Sequence, residues 1–454
     1  MKPTFYVLRS APLLALWTGV LFPSKALADA GQAAVENVAA TAAHLIDKSD
    51  TAWILTSTAL VLLMTLPGLA LFYGGLVRTR NVLSILMQCF AIAGLASVLW
   101  MAAGYTIAFS DGGSFNSISG GFSNVMFASI REDTLKDKLP ESLFAMFQMT
   151  FAIITPALII GAYAERIRFA AVLWFSSIWL LVVYAPVTHW VWGGGWLGRM
   201  GLLDFAGGTV VHITAGVASL VAALVIGPRR GFPHTPMMPH NMTMAVTGAG
   251  MLWVGWFGFN GGSALASDGN AAMAMLATHI AASAGAVTWM FYEWIKFGRA
   301  TVLGTVTGMV AGLGTITPAS GYVGPGGALV IGVAAGMVCF NAVQIVKRVW
   351  KVDDSLDVFP VHGVGGIMGT LLAGVFASTS LGAFSGQGFA PGIDSMGSQL
   401  GVQAVGVAAI AAYTAVASYI ILKGVDALVG LRVSKDEETE GLDIISHEER
   451  GYDL

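Results

Sequence analysis

The chain has 454 residues, of which 11% are charged and 56% hydrophobic, where a soluble protein carries about 25% charged residues. A length that would make roughly three soluble domains therefore lacks the polar residues to clothe them, which excludes a soluble enzyme and makes lipid the obvious solvent. A net charge of -3 excludes a basic surface for nucleic acid, and Cys89 and Cys339, each inside an apolar run, argue against a disulfide framework or a cysteine metal site.

In chain order, Lys2 and Arg9, the apolar stretch 11–22 and Ala26-Leu27-Ala28 have the layout of a secretory signal peptide, read as 1–28. The alternative is an uncleaved first helix, although the apolar core falls short of the roughly 20 residues that a span needs. Residues 29–52 form a polar lead expected in the periplasm. Apolar runs long enough to span follow at about 53–77, 83–109, 142–163, 169–188, 206–226, 242–264, 271–294, 301–318, 324–346, 359–380 and 398–422. Inside a bilayer each backbone amide must be satisfied within its own segment, so these runs predict helices. The fold class is an all-α polytopic membrane protein with eleven transmembrane helices.

Arg78, Arg80, Arg166, Arg168, Arg229, Arg230, Lys296, Arg299, Lys347, Arg348 and Lys351 fall in alternate connections. Basic residues mark cytoplasmic loops, which predicts a periplasmic N-terminus and a cytoplasmic C-terminus. Three motif pairs recur in order: Phe72-Tyr73-Gly74-Gly75 with Phe259-Asn260-Gly261-Gly262, Ile154-Thr155-Pro156 with Ile316-Thr317-Pro318, and Val211-His212 with Val361-His362. Each match alone is at the level of chance. Together they suggest two five-helix halves, 53–226 and 242–380, of opposite orientation because five is odd, with any central site at their interface. The segment 398–430 is then an extra helix and 431–454 a polar tail.

Ionisable residues deep in a bilayer are functional candidates. His212 and His362 occupy matching positions of the two halves, and two neutral imidazoles can share one hydrogen while lining a narrow polar path. A structural histidine pair bridging two helices is the competing reading. No further ligands accompany the histidines, so no metal is expected. His279 reads as a packing residue, and His189, His234 and His240 as loop residues. Asp204, two turns before His212, suits either a helix cap or an acidic vestibule residue that favours cations, and Asp357 is read as its rough mirror. Phe147 and Phe151 share one helix face. Trp192 precedes a glycine run, and Trp253, Trp256, Phe257 and Phe259 crowd the segment before Ser263. Such rings can hold a desolvated cation or simply form an interfacial belt.

These residues carry a resemblance to a known family. The stretches Leu71-Phe72-Tyr73-Gly74-Gly75-Leu76, Gly161-Ala162-Tyr163-Ala164-Glu165-Arg166, Asp204 to His212, Gly255-Trp256-Phe257-Gly258-Phe259-Asn260 and Asp357 to Gly363 resemble the ammonium transporters (Amt, with Mep and Rh relatives), of bacterial Amt type, over about residues 50–454. The resemblance implies two inverted five-helix repeats plus a C-terminal helix, in a homotrimer in the bacterial inner membrane, with one pore per subunit. It implies recruitment of ammonium at Trp192, Phe151 and Ser263, a gate of Phe147 over Phe151, a structural acid at Asp204, and paired pore histidines His212 and His362 passing ammonia with or without its proton. No cofactor and no enzymatic activity are implied. The tail, through Glu440-Gly441-Leu442-Asp443, His447 and Tyr452, resembles the segment that PII-type regulators contact. An ammonium sensor, an Rh-type gas channel and an intramembrane metalloenzyme are the competing functions.

Overall fold

The computed structural model describes residues 46–452. The signal peptide expected at 1–28 and the lead up to residue 45 lie outside them. The described chain is helical: α1 (Lys48–Leu76), α2 (Thr79–Phe109), α3 (Glu141–Tyr163), α4 (Phe169–Arg199), α5 (Gly208–Ile226), α6 (Met242–Gly261), α7 (Gly269–Phe297), α8 (Val302–Ile316), α9 (Pro325–Val349), α10 (Phe359–Phe376) and α11 (Met396–Val429). Ten of these are long and apolar enough to cross a membrane, and α8 is shorter. At about 1.5 Å per residue its 15 residues reach less far than a hydrocarbon core about 30 Å thick. Every residue from Gly308 to Ile316 is buried, so α8 is wrapped by protein and need not meet lipid along its length.

Five of the helices begin where a polar side chain occupies free amides of the first turn. Asp47 accepts from Ser49 and Asp50 N–H, Asn241 from Met244, Asp268 from Asn270 and Ala271, Thr301 from Gly304 and Ser395 from Ser398. Small residues let α7, α8 and α9 approach closely: a Cβ on Gly312 would meet the Ala281 carbonyl, and one on Gly336 would lie 2.7 Å from the Thr288 side chain.

One end of the bundle, called here the inner end, carries a buried ionic lock. Arg229 pairs with Asp353 at 2.8 Å and Glu165 at 3.0 Å, and Arg78 joins Glu165 at 2.8 Å. Burial alone would raise the Glu165 carboxyl, but Arg229 and then Arg78 hold it below the usual carboxylate range. Arg166 donates to the carbonyls of Ala162, Gly227 and Asp353 and to the Ser355 hydroxyl. Burial pulls its guanidinium down to about 10. The tail folds onto this end as α12 (Lys435–Glu440) and α13 (Leu442–His447). Glu438 accepts from Arg230 N–H and Arg432, while Asp443 accepts the Leu83 and Ser84 amides that open α2.

At the outer end, residues 110–140 end in a hairpin, β1 (Leu135–Lys136) with β2 (Leu139–Pro140). His189, expected in a loop, is fully buried in α4, whose turn Ala185–Val191 carries the helix past it. Its ring nitrogens lie 2.9 and 2.7 Å from the carbonyl oxygens of Ala108 and Asn116. Trp196 N–H and Trp190 Nε1 donate to the next two carbonyls, Ser117 and Ile118, so the end of α4 clamps the outer loop.

Candidate functional site

Three spaces follow one another between the outer and inner ends. The outer vestibule, about 350 Å³, is lined by Phe151, Trp192 and Ser263 together with Phe109, Phe144 and Gln148. A lumen of only about 10 Å³ comes next, bounded by Phe259, Trp256, Leu158, Val310, His212 and His362. An inner cavity of about 250 Å³ then opens from His362 towards Tyr73, Thr307, Lys347 and Asp357.

The lumen is lined from three helix irregularities. The turns Gly208–Ile213 in α5, Phe257–Gly261 in α6 and Phe359–Val364 in α10 are widened to π-type bonding, a geometry often found at functional sites. They carry His212, Phe259 and His362. Hydropathy reports that a segment is apolar and says nothing of a widened turn, so this feature was not legible beforehand.

Phe151 and Phe259 are the partition. Their ring centroids are 4.4 Å apart, tilted by 42°, and Phe151 lines the vestibule while Phe259 lines the lumen. Trp192 stands edge-on to Phe151 at 6.0 Å, its indole N–H donating to the Asp204 carbonyl at 2.9 Å. Ser263 donates to the Phe259 carbonyl at 2.8 Å. Phe147, expected as half of the gate, touches Phe151 edge-on at 5.1 Å and is fully buried. It is not among the residues that line the vestibule or the lumen. Spacing placed Phe147 and Phe151 on one helix face but could not see Phe259 arriving from α6.

Behind the partition, Nδ1 of His212 lies 3.1 Å from Nδ1 of His362. The rings are nearly parallel at 10° with centroids 5.2 Å apart, so one Nδ1 donates and the other accepts. His212 also stacks on Trp256 at 5.6 Å, which Thr317 fixes by accepting its indole N–H at 2.9 Å. Nε2 of His212, a residue that lines the lumen, is buried without a partner.

Asp204 holds α5 in place. Its carboxylate accepts the N–H groups of Gly207, Gly208, Thr209 and Val210 and the Thr209 hydroxyl, while Gly207 takes a left-handed φ of +112° to aim those amides inward. The mirror on α10 is Asp354, not Asp357. Asp354 precedes His362 by the same interval that separates Asp204 from His212, and its Oδ2 accepts the Phe359 N–H at 2.7 Å. Asp357 is turned away from the helix start by a φ of +61° and pairs with Lys347 at 2.8 Å. Among the described residues no group of three or more His, Cys, Asp or Glu could hold a metal. His279 lies on the outside of α7 against Trp253 and Phe257.

The family model of the Ammonium Transporter Family matches residues 52–452. The ammonium transporter of Bacillus subtilis is 45% identical, covering 89% of this chain and 98% of its own length. Ammonium transporter Amt1 of Archaeoglobus fulgidus is 43% identical over 88% of this chain and 98% of that protein. Among solved structures, Saccharomyces cerevisiae Mep2 superposes with a TM-score of 0.79 at 36% identity, covering 86% of this chain and 89% of its own. A protein described as a sensor Amt protein gives 0.81 at 28% identity, over 88% and 98%. A match across nearly the whole described chain, on a bundle of apolar helices, makes this a multi-pass membrane protein that belongs to the ammonium transporter family.

Proposed function

We propose that the protein transports ammonium by capturing NH4+ at Trp192, Phe151 and Ser263, leaving a proton in the outer vestibule, and passing NH3 between Phe151 and Phe259 to the His212–His362 pair. The observation that carries this reading is the sequence of spaces: an aromatic vestibule, two phenyl rings in close tilted contact, and a lumen with room for about one small molecule that holds the paired imidazoles. Ring faces favour a cation by roughly 0.5–2 kcal/mol per contact. An unpaired ion in so small an apolar space loses far more in hydration, so the neutral molecule is the species that proceeds. Potassium has no proton to release and is turned back. The free Nε2 of His212 meets ammonia in the lumen, and His362 hands it to the inner cavity, where it regains a proton from water.

The basic connections and docked tail support a cytoplasmic inner end, as the positive-inside rule requires. A homotrimer, and a PII-type regulator on the tail, belong to the same proposal; the acidic tail docked on the inner end, where Glu438 accepts from the Arg230 N–H, supports it. The recruitment step is tested by replacing Ser263 with Ala and Trp192 with Leu together and measuring methylammonium uptake in proteoliposomes. The expected outcome is a several-fold higher half-saturating concentration. Unchanged kinetics would remove the site.

A further inference from the structure

Lys136 and Asp137 of the hairpin β1–β2 line the outer vestibule, and the capture mechanism does not use them. Lys136 pairs in register with Leu139, and its Nζ stands over the Phe144 ring, 5.9 Å from the centroid. Phe144, Gln148 and Phe151 recur at helical spacing along one face of α3, and all three line the vestibule with Lys136. Phe144 meets Phe109 edge-on at 5.0 Å, so the outermost aromatic face of the cavity is the one that Lys136 covers.

A lysine terminus is itself an alkylated ammonium ion, with the same charge as the captured cation and three N–H donors. Among the described residues Lys136 forms no ion pair. Asp137, in the hairpin turn, also lines the vestibule, and Lys138 follows it. Glu141, at the start of α3, is engaged by the Tyr105 hydroxyl at 2.8 Å. The ring of Phe144 is thus the partner that the Lys136 charge has found.

We propose that Lys136 is a tethered competitor for the incoming cation: its ammonium group occupies the outer aromatic face of the vestibule and raises the ammonium concentration needed for half-maximal transport. The hairpin then sets capture affinity without touching the pore. The inference rests on the vestibule being the capture site, so the experiment carries a control for that reading.

Methylammonium uptake is measured in proteoliposomes for wild type, Lys136→Met, Lys136→Arg and Trp192→Leu. Lys136→Met keeps the stem and removes the charge. It should lower the half-saturating concentration about two- to fivefold, the equivalent of one exposed cation–π contact, at an unchanged maximal rate. The gain should shrink as sodium chloride is raised, because repulsion between solvent-facing charges is screened. Lys136→Arg should match wild type. An unchanged half-saturating concentration in Lys136→Met, or the same shift in Met and Arg variants, would overturn the proposal, the latter assigning the effect to hairpin shape. If Trp192→Leu raises the value while Lys136→Met does nothing, only this inference fails. If Trp192→Leu has no effect, the vestibule reading itself has failed.

Discussion

Helices α5 and α10 enter the bundle from opposite ends, and each presents an imidazole to the other a fixed distance after a buried aspartate. Their contacts are reciprocal. A Cβ on Gly216 of α5 would meet the Gly363 backbone of α10, and one on Gly366 of α10 would come within 2.8–2.9 Å of the Gly208 carbonyl and the His212 Cβ of α5. The two aspartates are nonetheless unlike. Asp204 has both oxygens occupied by donors. Asp354 is as deeply buried, yet its Oδ1 has no partner. Burial, and then the neighbouring Asp357 charge, push the Asp354 carboxyl up to about 6. Like halves therefore do not make like ends: the outer acid is a saturated brace for the helix start, and the inner acid takes a proton in mildly acidic solution.

The largest expected effect separates the two braces. Asp204→Ala strands four amides and a hydroxyl, and at about 1–3 kcal/mol for each unsatisfied group, tempered by entering water, stability should fall by about 3–5 kcal/mol. Asp354→Ala strands fewer donors and should cost about 1–2 kcal/mol. Thermal unfolding of both variants in detergent makes the comparison, and equal losses would erase the distinction. Next comes Gly216→Ala, whose methyl must push α10 away. Overpacking of this kind costs about 1–3 kcal/mol, and methylammonium uptake should drop at least about tenfold because the imidazoles part. Retained uptake would show that the crossing does not set the ring contact.

The smallest effect is a pH dependence. The folded-state Asp354 carboxyl lies above its ordinary 3.8, so between about pH 4 and 6 the folded protein holds a proton that the unfolded chain has lost. Stability should accordingly fall as pH rises through that window, with the cost of the buried charge absent below it and fully present above. Asp354→Asn is neutral throughout and keeps an acceptor for Phe359. Its unfolding midpoint should vary less across the window than that of wild type, and a parallel pH profile would contradict the assignment.

Much of this was legible in the residues. Hydropathy located all eleven helices because lipid forbids a long polar interruption, and it marked His212 and His362 because an imidazole amid such runs has few neutral explanations. What escaped depended on which helix face meets which. Asp357 stands just before α10 and was read as the mirror of Asp204, but its positive φ and its pairing with Lys347 leave the Phe359 N–H to Asp354. The gate of Phe147 over Phe151 was what the resemblance implied; in the structure the ring that meets Phe151 at the lumen, Phe259, comes from a widened turn of α6. The clamp of His189 on the outer loop was hidden because nothing in the local sequence reveals that the loop folds back over α4.

The account stands on the contact between two imidazoles in a lumen too small for a hydrated ion. Its most direct test is ammonium uptake, with potassium flux as comparison, into proteoliposomes carrying purified His212→Ala/His362→Ala protein. The account predicts that the double variant loses its ammonium uptake or ceases to discriminate ammonium from potassium. Wild-type flux with wild-type discrimination would contradict it.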